Sequence, residues 1–232
     1  MDALIFDCDG VLVDTERDGH RVAFNAAFEE LGLGINWSVE RYGELLTTGG
    51  GKERMVRHFD ETSWPLGVDD RAELIARLHK KKTELFTNLI ERGALPLRPG
   101  VMRLVDEALA ANIPIAVCST SAEKSVRTIV EVLLGPTRAP KISIFAGDVV
   151  KAKKPDPAIY NLASETLSLK PQRCVVIEDS HIGLTAAKAA GMKCVVTKSP
   201  YTEDENFTHA DRVVAHLDEG ITLAVCRALV RA

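Results

Sequence analysis

The sequence predicts an α/β fold in which a doubly wound, parallel, Rossmann-like sheet carries an inserted helical bundle as a cap domain. Six short runs of consecutive apolar, mostly β-branched residues indicate strands buried on both faces, as in parallel sheets. Helical patterns separate the last five runs, which predicts right-handed crossovers with helices on both faces. Roughly a hundred residues separate the first two runs, whereas one crossover needs about a dozen. The excess length predicts the insertion.

The core elements are predicted in chain order from these runs. One helix is predicted before the second strand from "PGVMRLVDEALAAN". Three more are predicted between the later strands from "AEKSVRTIVEVLL", "PDPAIYNLASETLSL" and "SHIGLTAAKAAGM". The strands are predicted at 3–8, 113–120, 142–147, 174–179, 194–198 and 212–215.

The insertion is predicted to be a cap domain at 16–95, with the core domain formed by 1–15 and 96–232. Its patterns are almost entirely helical, and short Gly, Pro and Ser breaks separate them. "LPLRPG" is predicted to be the return hinge, and "HKKK" at 79–82 is interpreted as a solvated helix face rather than a binding patch. The cap helices are predicted from "GHRVAFNAAFEELGL", "SVERYGELLTT", "GKERMVRHFDE" and "DDRAELIARLHKKKTELFTNLIERG".

Composition limits the classes of partner. Apolar content of 46%, charged content of 27% and a net charge of −4 are typical of a soluble protein without the basic excess of nucleic-acid binders. No apolar stretch approaches the roughly 20 residues that a membrane span needs. The first strand begins near Met1, which leaves no room for a leader, so we expect a cytosolic chain or the mature form of an imported one. We therefore expect no nucleic-acid or membrane partner.

Polar residues follow the predicted strands at the edge where their carboxyl ends meet, which is where open parallel sheets bind ligands. Alternation in extended chain directs Asp7 and Asp9 to one side while Cys8 packs away from them. Each residue alone has a simpler interpretation: Asp9 in a turn, Ser119 as a helix cap, Asp179 or Ser180 as an N-cap, and Lys154 as a surface charge. The residues expected to converge are Asp7, Asp9, Ser119, Thr120, Lys154, Glu178 and Asp179.

Several carboxylates at one sheet edge would repel one another and raise their pKa values unless a cation joined them. Oxygen ligands from few carboxylates, with room for water and a phosphate oxygen, suit Mg²⁺ better than Zn²⁺. The sequence therefore predicts a Mg²⁺ site combined with a lysine and phosphate chemistry.

Four motifs extend the interpretation to a family. "DCDGVLVD", "CSTS", "KKPDPAIY" and "VVIEDSHIGLTAAKAAGM" resemble, in order, motifs I to IV of the haloacid dehalogenase superfamily. "DTERDGHRVAFN", "YGELLTTGGGKERM" and "AVCSTSAEKSV" resemble its CbbY-like branch, whose plant and algal members are xylulose-1,5-bisphosphate phosphatases.

The resemblance implies a role for each core residue. Asp7 is implied as the nucleophile that forms an aspartyl phosphate, and Asp9 as the general acid and base. Ser119 and Lys154, with Thr120 and Ser121 beside them, are implied to bind the phosphate. The implied Mg²⁺ ligands are Asp7, the Asp9 backbone carbonyl, Asp179 and, through water, Glu178. Dehalogenases of the superfamily lack the second aspartate, so Asp9 favours phosphoryl transfer.

The cap segment "TTGGGKER" at 47–54 is a candidate site for a second phosphate. Gly49, Gly50 and Gly51 could present N–H groups at a helix start, followed by the cations of Lys52 and Arg54. The alternative is a flexible turn with solvated basic residues. Glu16 and His20 could contact sugar hydroxyls or gate Asp9, or could simply form a hinge and helix start.

The expected function is a Mg²⁺-dependent phosphatase that converts xylulose-1,5-bisphosphate to xylulose 5-phosphate and so removes a Rubisco inhibitor. One alternative is a sugar phosphomutase resembling β-phosphoglucomutase, which shares the core motifs. Another is a catalytically silent sugar-phosphate binding protein, which would lack a nucleophile or a metal ligand, and none is missing here. We expect a monomer with a small-molecule sugar phosphate as its partner. By resemblance it is expected in the chloroplast stroma, with the cytoplasm as the alternative.

Overall fold

The computed structural model describes residues 1–48, 50–67 and 69–231. The chain forms two compact units, one from Met1–Asp14 with Leu95–Ala232 and the other from Thr15–Ala94. These boundaries lie one residue before those expected from the sequence. Along the described parts of the chain, no helix combines the length and apolarity needed to cross a bilayer.

The first unit, the core unit, contains a six-stranded parallel sheet in the order β3-β2-β1-β4-β5-β6. The central strand β1 pairs with β2 and β4, so that Phe6 lies level with Val117 and Ile177. Every residue of β1, β2 and β4 is buried, as the continuous apolar runs predicted. The α/β fold class is confirmed. The strands are β1 Ala3–Phe6, β2 Ile115–Ser119, β3 Ile142–Ala146, β4 Cys174–Glu178, β5 Lys193–Thr197 and β6 Arg212–Val214.

The helices of the core unit begin and end close to their predicted positions. Ser180 caps α8 by accepting a hydrogen bond from the Gly183 backbone N–H, and Thr222 caps α9 in the same way. The sequence analysis did not predict α9, because its seven residues include only two buried side chains, Leu223 and Cys226. The helices are α5 Val101–Ala110, α6 Glu123–Leu134, α7 Ala158–Thr166, α8 His181–Ala189 and α9 Leu223–Leu229.

The second unit, the helical unit, begins with a six-residue π-helical segment, Thr15–His20, that the sequence analysis did not predict. Its core is aromatic: the ring centroid of Trp37 lies 4.9 Å from that of Phe24 and 4.8 Å from that of Phe28. These buried rings give the unit a hydrophobic core of its own. Its helices are α1 Arg21–Glu30, α2 Val39–Leu46, α3 Gly51–Glu61 and α4 Arg71–Glu91.

Candidate active site

The turn after β1 carries the two expected aspartates. The Asp7 N–H donates to the Ile177 carbonyl at 2.9 Å, so the pairing with β4 continues one residue beyond the strand. Cys8 is fully buried, as the alternation predicted. Gly10 follows with a φ of 80°, a left-handed conformation that allows the chain to turn and its N–H to donate to the Val13 carbonyl.

Lys154 links the ends of three strands. Its ammonium donates to Oδ1 of Asp7 at 2.6 Å, to Oε1 of Glu178 at 2.7 Å and to the carbonyl of Cys118 at 3.0 Å. All three side chains are buried, so these contacts act in a medium of low dielectric. The interpretation of Lys154 as an isolated surface charge is therefore wrong.

Tyr160 on α7 is a partner that the sequence analysis missed. Its hydroxyl donates to Oε1 of Glu178 at 2.5 Å, and its ring lies 5.0 Å from the Lys154 ammonium. The other oxygen of Glu178 accepts the Asp179 N–H at 3.1 Å. The signal was present in "KKPDPAIY", where Tyr160 lies six residues after Lys154, within the first turn of the following helix.

Asp9 is oriented by the loop after β2. Its Oδ2 accepts hydrogen bonds from the Ser121 hydroxyl at 2.5 Å and from the Ser119 hydroxyl at 3.3 Å. The Ser121 N–H donates to the Ser119 hydroxyl oxygen at 3.1 Å, which stabilises the loop. The structure thus brings Ser119 and Ser121 to Asp9.

Asp179 follows β4 and lies against the turn at Gly10. A Cβ atom on Gly10 would lie 2.0 Å from Oδ2 of Asp179, so this close approach requires glycine. The side chain of Ser199, in the loop after β5, opposes the rise in the pKa of Asp179 that burial causes. The N-cap role belongs to Ser180 rather than Asp179.

The acidic groups of the site have perturbed pKa values. Burial raises the pKa of the Asp7 carboxyl to about 7; the Lys154 ammonium opposes this shift and the Glu178 carboxylate adds to it. Burial, together with the charges of Glu178 and Asp7, raises the pKa of Asp179 well above its usual range. Burial alone would lower the pKa of Lys154, but Asp7 and Glu178 raise it, so its ammonium is retained.

The donor set fits a hard divalent cation. Asp7, Glu178 and Asp179 each offer a carboxylate oxygen, and these oxygens all lie within 4.8 Å of one another. Three carboxylates beside one lysine leave excess negative charge in a buried place, which a cation would offset. Oxygen ligands of this kind suit Mg²⁺. The residues present are therefore compatible with the predicted metal.

The same residues line a cavity of about 420 Å³ at the carboxyl edge of the sheet. Its volume is adequate for a small phosphorylated metabolite. Thr120, which is exposed, lies at its wall, so six of the seven strand-end residues predicted to converge line this cavity, and the seventh, Ser119, donates its hydroxyl to Asp9. The lining residues are Asp7, Asp9, Thr120, Lys153, Lys154, Glu178, Asp179, Ser180 and Ile182.

In the helical unit, Arg54 joins a polar cluster with Glu16. Its guanidinium donates to the Thr48 carbonyl at 3.0 Å and to the Tyr42 hydroxyl at 3.1 Å, and lies 3.5 Å from the Glu16 carboxylate. The Tyr42 hydroxyl donates to Glu16 at 2.6 Å. Arg54 is therefore turned inward and is not the solvated residue of the simpler interpretation.

His20 contacts Lys82, a residue of the "HKKK" segment. The Lys82 ammonium lies 2.9 Å from Nδ1 of His20 and over the rings of Phe24 and Phe86. Burial and the positive charge of Lys82 lower the pKa of His20 to about 3, so the ring is neutral. Because the Lys82 ammonium can only donate, Nδ1 of His20 accepts the bond. The segment is thus not uniformly solvated, because Lys82 faces inward while Lys80 is exposed.

The predicted second-phosphate segment is only partly described, because Gly49 lies outside the described residues. Gly50 has a φ of 91°, and a Cβ on it would lie 2.1 Å from Oε2 of Glu53. A carboxylate of the chain itself thus lies at the start of α3. Lys52 is exposed, and positions 52 and 54 are about 200° apart around a helix, so the two cations do not share a face.

Comparisons with known proteins agree with these observations. A family model for haloacid dehalogenase-like hydrolases matches residues 1–191. A CBBY-like protein of Arabidopsis thaliana is 60% identical over 237 residues, which cover 99% of this chain and 74% of that protein. Protein CbbY of Cereibacter sphaeroides is 44% identical, over 92% of this chain and 91% of that protein.

A solved structure gives the same match in three dimensions. It is the crystal structure of an Asp-to-Asn variant of CbbY from Rhodobacter sphaeroides in complex with xylulose-1,5-bisphosphate. It is similar to this chain with a TM-score of 0.76 and 41% sequence identity, covering 97% of this chain and 98% of that one.

Proposed function

Because the chain belongs to the haloacid dehalogenase-like hydrolases and is a phosphatase of that family, we propose that its substrate is a sugar bisphosphate. The proposed hydrolysis proceeds through an aspartyl phosphate, with Mg²⁺ as cofactor. The substrate we propose is xylulose-1,5-bisphosphate, which loses its 1-phosphate and leaves xylulose 5-phosphate, so that a Rubisco inhibitor is removed. The observation that carries the proposal is the junction of Asp7, Lys154 and Glu178 in a cavity that Asp9 and Asp179 also line.

Asp7 is proposed as the nucleophile. Lys154 holds its Oδ1 at 2.6 Å and so fixes the orientation of the carboxylate. Attack by the carboxylate on phosphorus breaks the bond to the sugar oxygen and leaves the phosphoryl group on Asp7. The Lys154 ammonium and the Ser119 hydroxyl are proposed to bind phosphate oxygens, where fixed donors stabilise the charge of the transition state.

Asp9 is proposed as the general acid and base. Its proton goes to the departing sugar oxygen, and its carboxylate then accepts a proton from the water that attacks the aspartyl phosphate. The hydroxyls of Ser119 and Ser121 hold its Oδ2 and restrict the side chain to one orientation. This orientation supports the proposed role because a general acid must stay within hydrogen-bond reach of the oxygen it protonates.

Asp7, Asp179 and the Asp9 backbone carbonyl are proposed to hold Mg²⁺, with Glu178 acting through water. When bound, the ion offsets the negative charges of the nucleophile, the phosphate and the neighbouring carboxylates. A role for Glu178 through water is compatible with its hydrogen bonds to Lys154, Tyr160 and the Asp179 N–H.

In the helical unit, Glu16, His20, Gly50, Gly51, Lys52 and Arg54 remain proposed as substrate contacts. The arrangement favours Arg54 over Lys52 as the cation for the second phosphate, because Arg54 is held by Thr48 and Tyr42. Arg54→Ala should therefore reduce the preference in kcat/KM for a bisphosphate over the matching monophosphate. Arg57→Ala, on the same helix, is the control. An unchanged preference in Arg54→Ala and in Lys52→Ala would contradict a second-phosphate role for both.

A phosphate-release screen tests the proposed substrate. The protein is assayed with pentose and hexose bisphosphates, with Mg²⁺ and after its removal by a chelator. We expect the highest kcat/KM with xylulose-1,5-bisphosphate and no release without Mg²⁺. Transfer of phosphate to another hydroxyl, without release, would indicate a phosphomutase instead. Binding without turnover would indicate a silent binding protein.

We place the protein in the chloroplast stroma as part of the same proposal. The support is its similarity to a CBBY-like protein of the plant Arabidopsis thaliana. Imaging of the protein, expressed from its complete coding sequence and fused to a fluorescent protein, tests the placement, and a purely cytoplasmic signal would contradict it.

A further inference from the structure

Arg98 joins three separate segments of the core unit. It lies in "LPLRPG", before α5, and its guanidinium donates to four backbone carbonyls. One guanidinium nitrogen donates to the carbonyls of Gly10 and Thr197, the latter at 3.0 Å. The other donates to those of Lys198 and Ala215, the latter at 2.9 Å. Arg98 therefore connects the turn after β1, the end of β5 and the segment after β6.

Two of these segments lie against Asp179. Gly10 lies so close that a Cβ on it would be 2.0 Å from Oδ2 of Asp179. Ser199, the residue after Lys198, is buried, and its side chain lies beside the same carboxylate and acts to lower its pKa. Ser199 is in turn held by Thr202, whose hydroxyl oxygen lies 3.0 Å from its own. Arg98 thus connects the Gly10 turn and the Ser199 loop, the two segments that lie against Asp179.

We propose that Arg98 is a positioning residue for Asp179. It holds the Gly10 turn and the Ser199 loop at a fixed distance from each other, and this places the Asp179 carboxylate where it can bind a divalent ion. This inference rests on the proposed function, because it takes Asp179 as a ligand of Mg²⁺. Residues that orient metal ligands typically contribute about 10- to 100-fold to metal affinity.

The geometry requires arginine. Its five N–H donors are arranged in a rigid planar fork, which lets one side chain bond four carbonyls of three segments. A lysine ammonium has three donors on a single nitrogen and cannot span the same carbonyls. A purely structural role would lower the stability of the protein without changing its affinity for metal, so the two roles are separable.

Metal binding without substrate tests the inference. Mn²⁺ serves as the probe, and its dissociation constant is measured by electron paramagnetic resonance. We expect an increase of about tenfold or more in Arg98→Met and Arg98→Lys, and a smaller increase in Ser199→Ala. The matched control is Arg103→Met, because Arg103 donates to the carbonyls of Leu217 and Ile221 in the same unit. Arg103→Met should lower the melting temperature but leave the Mn²⁺ affinity within twofold.

The outcomes separate this inference from the proposed function. Wild-type Mn²⁺ affinity in a folded Arg98→Met protein overturns the positioning role and leaves the proposed function intact. If Arg98→Met does not fold, Ser199→Ala decides, since it removes only the hydroxyl beside Asp179, and an unchanged Mn²⁺ affinity in that variant overturns the role. Absence of Mn²⁺ binding to the wild-type protein overturns the Mg²⁺ proposal and this inference together.

Discussion

The Lys154 ammonium lies 2.6 Å from Oδ1 of Asp7, and the two side chains are buried at the end of β1. The bond joins a residue from the loop after β3 to one from the turn after β1, 147 positions apart in the chain. Because Glu178 shares the same ammonium, the three groups form one coupled unit. Removal of the central cation should therefore disturb both carboxylates.

Lys154→Met should reduce kcat by a factor of about a thousand or more. The variant loses the positive charge that offsets the repulsion between Asp7 and Glu178, and it also loses a hydrogen-bond donor for the phosphate oxygens. Steady-state phosphate release measures the loss. Lys151→Met is the control, because Lys151 is exposed and does not line the cavity. A Lys154→Met protein with wild-type kcat would contradict the proposed role.

Tyr160→Phe should lower kcat by about tenfold and leave the substrate KM within twofold, because the phenol positions Glu178 rather than the substrate. The variant keeps the ring that packs near Lys154 and removes a hydrogen bond to a charged group, so the free energy of unfolding should fall by about 1.5–3 kcal/mol. Kinetics and chemical denaturation together measure both effects. A changed KM with unchanged kcat would place Tyr160 in substrate binding instead.

Lys82→Met should stabilise the protein at pH 7. Burial lowers the pKa of Lys82 to about 8, against an unfolded value of 10.5, while Glu16 opposes and Arg54 adds to the shift. Below pH 8 both states hold the proton, so the native state carries the full cost of a buried charge. Between pH 8 and 10.5 only the unfolded state keeps the Lys82 proton, so the free energy of unfolding of the wild-type protein rises toward that of the variant.

The expected gain of Lys82→Met is about 1–3 kcal/mol at pH 7, and it should shrink as pH rises from 8 to 10. Lys81→Met is the control, because Lys81 forms a half-exposed ion pair with Glu30 and should change stability by less than about 1 kcal/mol. Urea denaturation at several pH values provides the measurement. A gain that stays constant with pH would show that the Lys82 charge is not its source.

The sheet and the core of the site could be predicted because both follow from local patterns. Continuous apolar runs indicated all six strands. The rule that ligands bind at the carboxyl ends of parallel strands predicted that Asp7, Lys154 and Asp179 lie close together. The four motifs then indicated the haloacid dehalogenase family. Residues within a few positions of a strand end are constrained by the sheet itself, so their neighbours can be inferred before a structure is known.

The supporting contacts could not be predicted, because they depend on tertiary packing. Tyr160 reaches Glu178 only once α7 has packed beside β2, and Arg98 meets Gly10 only when the turn after β1 and the loop after β5 are in place. The inward turn of Lys82 was missed for the same reason: a run of three lysines indicates solvent exposure on average, but one helix face here packs against Phe24 and His20.

Trapping of the phosphorylated enzyme tests the central claim most directly. The protein is mixed with substrate radiolabelled in its 1-phosphate, quenched in acid within milliseconds, and digested so that the labelled peptide can be sequenced. The account predicts a hydroxylamine-sensitive label on Asp7 and none in a folded Asp7→Asn protein. A label on another residue, or Asp7→Asn turning over at the wild-type rate, would contradict it.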